Sequence, residues 1–83
     1  MGIEQRQSPR QTVNRPAWVD LGAQGAKHDC VLVDISDTGA RLELAAPAAM
    51  PETFRLLLSA GGEVRRECRI VWRSSNQVGV QFQ

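Results

Sequence analysis

From residue 17 to residue 82 the chain is a series of short apolar or alternating runs separated by turn-forming residues. In the run ARLELA, Leu42 and Leu44 alternate with Arg41 and Glu43, and the closing run QVGVQF shows the same period of two. This period is typical of a β-strand with one buried face. We therefore predict six strands, at residues 17–21, 29–35, 40–45, 54–59, 64–73 and 77–82.

The segments between these runs contain residues that favour tight turns, at 22–25, 37–39, 61–62 and 74–76. Residues 45–51 can hold one helical turn between two prolines, and no long amphipathic helix is predicted. Closing a sheet of six short antiparallel strands removes its exposed edges, which favours a barrel over a small sandwich. The predicted fold is all-β: a small six-stranded antiparallel β-barrel at residues 16–83, preceded by a flexible N-terminal arm at residues 1–15.

The predicted core is drawn from the apolar residues of these strands. In strand 64–73 the sequence does not decide which face points inward, because Cys68, Ile70 and Trp72 share one parity and Val71 has the other. The predicted core residues are Trp18, Val31, Val33, Ile35, Leu42, Leu44, Phe54, Leu56, Leu58, Ile70, Val78, Val80 and Phe82.

The composition, 42% hydrophobic and 23% charged residues, is ordinary for a globular domain. No apolar run approaches the roughly 18 to 20 residues of a membrane span, and the polar N-terminus does not resemble a secretory signal, so we expect a cytoplasmic protein with no membrane insertion. Cys30 and Cys68 lie in strand-like runs, and with no CxxC and a single histidine, His28, we expect neither a zinc site nor any cofactor. The cytoplasm favours reduced, packed thiols, and the sequence does not decide whether Cys30 and Cys68 form a disulfide.

Residues suited to catalysis are scarce in this chain. His28 has no serine elbow motif to complete a triad, and Asp34 and Asp37 lack the repeated oxygen ligands of a calcium loop. We expect a protein that is not an enzyme.

The net charge of +1 hides two basic clusters, one in the N-terminal arm and one in strand 64–73. In the arm, Arg6 and Arg10 are four residues apart, and Pro9 disfavours a regular helix that would present both on one face. Arginine is suited to bidentate contact with phosphates and with guanine O6 and N7. The arm can therefore close over a nucleotide, or it can be a solvated basic tail.

A second candidate site is the Asp-x-Ser-x-x-Gly turn at the end of strand 29–35, formed by Asp34, Ser36 and Gly39. If Ile35 points into the core, Asp34 and Ser36 point to the opposite side. A carboxylate there can accept hydrogen bonds from guanine N1–H and N2–H, and Gly39 permits a positive φ or close approach of a ligand. The alternative is a plain hairpin turn in which Asp34 and Ser36 cap backbone N–H groups.

Together the two motifs resemble the PilZ domain family, whose pattern is Arg-x-x-x-Arg, a gap, then Asp or Asn-x-Ser-x-x-Gly. Here residues 11–33 form the gap, and Arg69–Arg73 and Val78–Phe82 are similar to the family's later strands. The resemblance implies a PilZ-like split barrel that binds the bacterial second messenger cyclic di-GMP as its ligand. It places Arg6 and Arg10 on phosphate and guanine, and Asp34, Ser36 and Gly39 at the guanine base.

The resemblance further implies a switch, in which the arm becomes ordered on ligand binding and signals to a downstream protein partner. Trp72 is a possible ligand contact, and packing is the alternative interpretation.

Many family members carry two adjacent arginines at the start of the arm, whereas Gln5 precedes Arg6 here. This departure leaves open a PilZ-like protein-interaction adaptor that does not bind nucleotide. A single-strand nucleic-acid binder is a third class, and since stacking residues are scarce we expect no DNA or RNA partner.

Overall fold

A computed structural model describes residues 11–21 and 27–83. The arm with Arg6 and Arg10, and the turn predicted at residues 22–25, lie outside the described residues. The described residues form six strands and one short 3₁₀ turn, so the predicted strands are all present and the predicted helical turn is confirmed. Their bounds are β1 Gln11–Asp20, β2 Lys27–Ile35, β3 Gly39–Glu43, η1 Pro47–Ala49, β4 Thr53–Leu57, β5 Arg65–Arg73 and β6 Gln77–Phe82.

The strands close into a barrel in the order β1-β2-β3-β6-β5-β4, with every neighbouring pair antiparallel. Closure comes from β1, which pairs with β2 along its length and with β4 through residues 18–20. The predicted fold class is confirmed. Within residues 11–21 and 27–83, no helix is long and apolar enough to cross a membrane.

The start of β1 corrects the predicted strand at residues 17–21. Residues 11–15, which the sequence assigned to the arm, belong to β1, whose register runs from Gln11 opposite Ile35 to Asp20 opposite Lys27. Pro16 hid this extension, because proline argues against a paired strand. The strand tolerates it because, within residues 11–21 and 27–83, the segment 11–17 has a strand neighbour on one side only.

The inward faces of β1 and β2 also differ from the prediction. Trp18 is only half-buried and Val31 is 36% exposed, and the core positions are taken by their neighbours of opposite parity. Periodicity could not decide this, because in both runs each parity carries apolar side chains. The buried residues of β1 and β2 are Ala17, Val19, Cys30 and Leu32, whereas Val33 is half-buried.

The rest of the predicted core agrees with the structure. Leu42, Leu56 and Val78 are fully buried, and Phe54, Ile70 and Val80 are nearly so. Ile35, Leu44, Leu58 and Phe82 are partly buried and pack against this cluster. Cys30 and Cys68 are free thiols inside the barrel.

Two irregularities decide which side chains reach the outer wall. In β2 the register shifts between Leu32 and Asp34, and in β5 it shifts between Ile70 and Trp72, so Val33 and Val71 are extra residues in their strands. Such a bulge reverses the alternation beyond it. Leu32 and Ile70 therefore point inward, while Asp34 and Trp72, two positions further on, point outward.

Candidate functional site

A row of four residues crosses the outer wall of the barrel over strands β2, β3, β6 and β5. Asp34 lies opposite Arg41, Arg41 opposite Gly79, and Gly79 opposite Trp72. We call these four residues the wall row. They share one face because the bulges at Val33 and Val71 turn both ends of the row outward.

Asp34 is the buried acid of the wall row, with 3% of its surface exposed. Arg41 donates two hydrogen bonds to its Oδ2 atom, from Nε at 3.1 Å and from Nη2 at 2.5 Å. A buried carboxylate is costly unless it is paired and hydrogen-bonded, and Arg41, whose side chain is 42% exposed, supplies that partner. The ion pair therefore holds a negative charge at a fixed place on the wall, with a cation beside it.

Trp72 forms the other end of the row and is 44% exposed. Its indole lies directly over Gly79, where an added Cβ would overlap the ring atoms Nε1 and Cε2. Glycine at position 79 thus lets the ring lie against the β6 backbone. Between Trp72 and Arg41 the wall has a shallow cleft of about 300 Å³, also lined by Ala40, Val71 and Val80. This wall cleft combines an aromatic face with a guanidinium group.

The turn after β2 is held by its own side chains. The Ser36 N–H donates to the Gly39 carbonyl at 2.8 Å, and the Thr38 N–H donates to Ser36 Oγ at 3.3 Å. Ser36 therefore caps a backbone N–H, as the hairpin-turn alternative predicts. Since Asp34 bonds to Arg41, the structure separates the two residues: Ser36 shapes the turn, and Asp34 lies on the wall.

Gly39 does not adopt the positive φ that the sequence permits, since Gly62 is the only glycine in the described part of the chain that does. Glycine is required at position 39 because there is no space for a side chain. A Cβ at this position would overlap the backbone carbonyl oxygen of Val80 on β6. The glycine allows β3 to begin close against β6, which places the turn beside the end of the barrel.

That end of the barrel carries a second concavity, an end groove of about 570 Å³. Its floor is apolar, from Ile35, Leu58 and Phe82. Its rim is polar and includes the turn residues Ser36 and Asp37, together with Arg66 from β5 and Gln11 from the start of β1. The segment 34–41 therefore borders two concavities, the wall cleft on one side and the end groove on the other.

The structure brings together three of the predicted site residues in one segment, Asp34, Ser36 and Gly39, and places Trp72 on the same wall as Asp34. Arg6 and Arg10 lie outside the described residues. Sequence reasoning missed Arg41. Its position could have been found by counting outward from the turn, because a hairpin that pairs Ile35 with Ala40 also pairs Asp34 with Arg41.

The chain was compared with curated proteins and with protein-family models, and one of the two comparisons found a match. A search of curated proteins found no significant match to the chain. The family model of the PilZ domain matches residues 4–83, nearly the entire sequence. The match includes the Arg6 to Arg10 motif, the turn and the strands of the wall row, and the chain therefore belongs to the PilZ domain family.

Proposed function

We propose that this chain is a cyclic di-GMP receptor module whose ligand lies against the wall row and is closed over by the N-terminal arm. The observation that carries the proposal is the wall row itself: a fixed carboxylate, a guanidinium and an exposed indole in one line across four strands, in a chain of the PilZ family. Each of these groups has a partner on a guanine nucleotide.

The proposed contacts follow from the chemistry of each group. Asp34 accepts from the N1–H and N2–H of guanine, a pair of donors that adenine lacks. Arg41 holds the Asp34 carboxylate in its orientation, and the exposed part of its guanidinium group can contact a phosphate. Trp72 stacks on a purine, a contact that accepts any base and so adds affinity more than selectivity. Arg6 and Arg10 supply the forked donors that close the site from the arm.

Isothermal titration of the purified chain with cyclic di-GMP tests the proposal. We expect measurable heat at tens of micromolar protein, and no heat with cyclic di-AMP at the same concentration, because Asp34 selects guanine. Absence of heat with cyclic di-GMP, while circular dichroism shows an intact β fold, overturns the proposal.

The arm contributes its own prediction. Arg10→Ala should weaken binding by about 1 to 3 kcal/mol, roughly 5- to 150-fold, which corresponds to loss of one bidentate contact. Arg55→Ala is the matched control, because Arg55 lies on β4, outside the strands of the wall row. Equal affinity in the two variants would show that the arm does not close over the ligand.

One observation favours a nucleotide-free adaptor as the second candidate. Val71 and Trp72 are adjacent and exposed to 56% and 44%, so they form an apolar surface that a protein partner could cover. The two candidates differ in what Trp72 contacts. In Trp18→Phe protein, where Trp72 is the only tryptophan, cyclic di-GMP should change the emission if the receptor proposal holds and leave it unchanged if the surface serves a protein alone.

A further inference from the structure

The end groove is larger than the wall cleft on the other side of the segment 34–41, and the proposed contacts on the wall do not use it. An apolar floor with a polar rim is typical of small-molecule binding sites, and the groove's volume of about 570 Å³ lies within the range of ligand pockets. A cyclic dinucleotide has two bases and two phosphates. The wall row provides for one base, and the second half of the ligand needs a second surface beside it.

Arg66 is the cation of the end groove. It lies opposite Leu56, a fully buried residue, so its side chain starts on the inward side of β5, at the end of the barrel where there is no more core to cover it. Among the described residues, the guanidinium group of Arg66 makes one hydrogen bond, from Nη1 to the carbonyl oxygen of Arg65 at 3.1 Å.

Three other arginines of the barrel have protein acceptors that hold their guanidinium groups in place. Arg41 is paired with Asp34 and Arg55 with Glu67, and Arg73 donates to the carbonyl oxygens of Pro47 and Met50 at 2.6 and 2.8 Å. Most donors of the Arg66 guanidinium remain open toward solvent. Such a group on the rim of a concave site is suited to a phosphate oxygen.

Asp37 limits how a ligand can lie in the groove. Its exposed carboxylate is on the rim formed by the turn, and it would repel a phosphate placed beside it. A phosphate is therefore favoured on the Arg66 side, and the N–H edge of a base on the Asp37 side. Phe82, half-buried in the floor, offers its ring to the face of that base.

We propose that the end groove binds the second half of the cyclic dinucleotide, with Arg66 contacting its phosphate. This inference rests on the proposed function and extends it, because it assigns a ligand contact to an arginine outside the two family motifs. The ligand then bends around the turn 36–39, with one half on the wall row and the other half in the end groove.

Titration of Arg66→Ala with cyclic di-GMP tests the inference, with Arg65→Ala as its matched control. Both variants remove one exposed arginine from adjacent positions of β5, and Arg65→Ala keeps the backbone carbonyl to which Arg66 donates. We expect Arg66→Ala to weaken binding roughly 5- to 150-fold and Arg65→Ala to change it less than about 2-fold. Arg66→Lys keeps the positive charge but not the paired donors of the planar guanidinium group, and should recover part of the lost affinity.

Amide NMR separates contact from a structural effect. In the wild-type protein cyclic di-GMP should shift the resonances of Asp37 and Phe82, and in Arg66→Ala these shifts should shrink while the shift of Arg41 persists. Equal affinities for the Arg65 and Arg66 variants would overturn the inference and leave the receptor proposal standing. A wild-type protein that is folded and binds no cyclic di-GMP would overturn both.

Discussion

At the scale of single residues, Gly39 shows how a motif position can be required by the fold. A Cβ there would overlap the Val80 carbonyl oxygen, and a paired backbone atom in a closed barrel cannot move away as a side chain can. Overpacking of this kind typically costs about 1 to 3 kcal/mol. Gly39→Ala should lower the free energy of unfolding by that amount, as measured by urea denaturation.

Gly61→Ala provides the comparison for Gly39→Ala. Its Cβ would meet the carboxylate oxygens of Glu63 at 2.5 and 2.7 Å, and these form the end of a flexible side chain. We expect a change within about 0.5 kcal/mol, as for an ordinary surface substitution. If both variants lost the same stability, the contact with β6 would not be the reason for glycine at position 39.

The ion pair between Asp34 and Arg41 gives the second prediction at this scale. Arg41→Met removes the cation from a carboxylate that is almost fully buried, and should destabilise the barrel by roughly 1 to 3 kcal/mol. Adding Asp34→Asn removes the buried charge and should restore part of that stability. A double-mutant cycle with no coupling energy would mean that the pair does not act as a unit.

At the scale of strands, the sequence predicts where the strands lie better than which face of each strand points into the core. Alternation in β3 and β6 identifies strands and inward faces together, because polar and apolar residues divide cleanly between the parities. In β2, Cys30 and Leu32 compete with Val31 and Val33, so alternation locates the strand and leaves its face undecided. The bulges have no residue signature in this chain, and they are what bring Asp34 and Trp72 to the outer wall. The wall row was therefore only partly predictable.

Deletion of one residue tests the bulge in β5. Val71 is the extra residue between Ile70, paired with Val80, and Trp72, paired with Gly79. Without Val71 these pairs become consecutive, so the barrel should fold with Trp72 still over Gly79. We expect a folded protein with a nuclear Overhauser contact between the Trp72 indole and Gly79.

Deletion of Arg69 is the opposite case. Arg69 is regularly paired with Thr53 and Gln81, and its loss would turn either Cys68 or Ile70 out of the core. A one-residue slip of this kind moves every side chain beyond it to the other face, so this variant should not fold. If the Val71 deletion unfolded the barrel as completely as the Arg69 deletion, Val71 would not be a dispensable bulge residue.

At the scale of the whole molecule, the two buried thiols link stability to alkaline pH. Burial, with a smaller effect of the Asp29 carboxylate, raises the pKa of Cys30 from 9.0 to about 11. Burial, followed by the effect of Glu67, raises the pKa of Cys68 to about 12. Above pH 9 an unfolded chain loses thiol protons that the native barrel still holds, so rising pH favours unfolding. The contribution of the two thiols to stability should be constant below pH 8 and decline from pH 9 toward pH 11.

The composition makes this decline easy to assign, because the chain has no tyrosine and a single lysine, Lys27. Each thiol should account for about 1 kcal/mol of lost stability by pH 10, measured as the free energy of unfolding in urea at a series of pH values. In the Cys30→Ala, Cys68→Ala variant the overall stability should be lower, since core volume is lost, but the slope between pH 9 and 10.5 should nearly vanish. An unchanged slope would assign the alkaline transition to other groups. A thiol reagent at pH 8 provides an independent check. Buried, protonated thiols should react with it only as urea unfolds the barrel, and reaction with the native protein would show that the thiols are accessible.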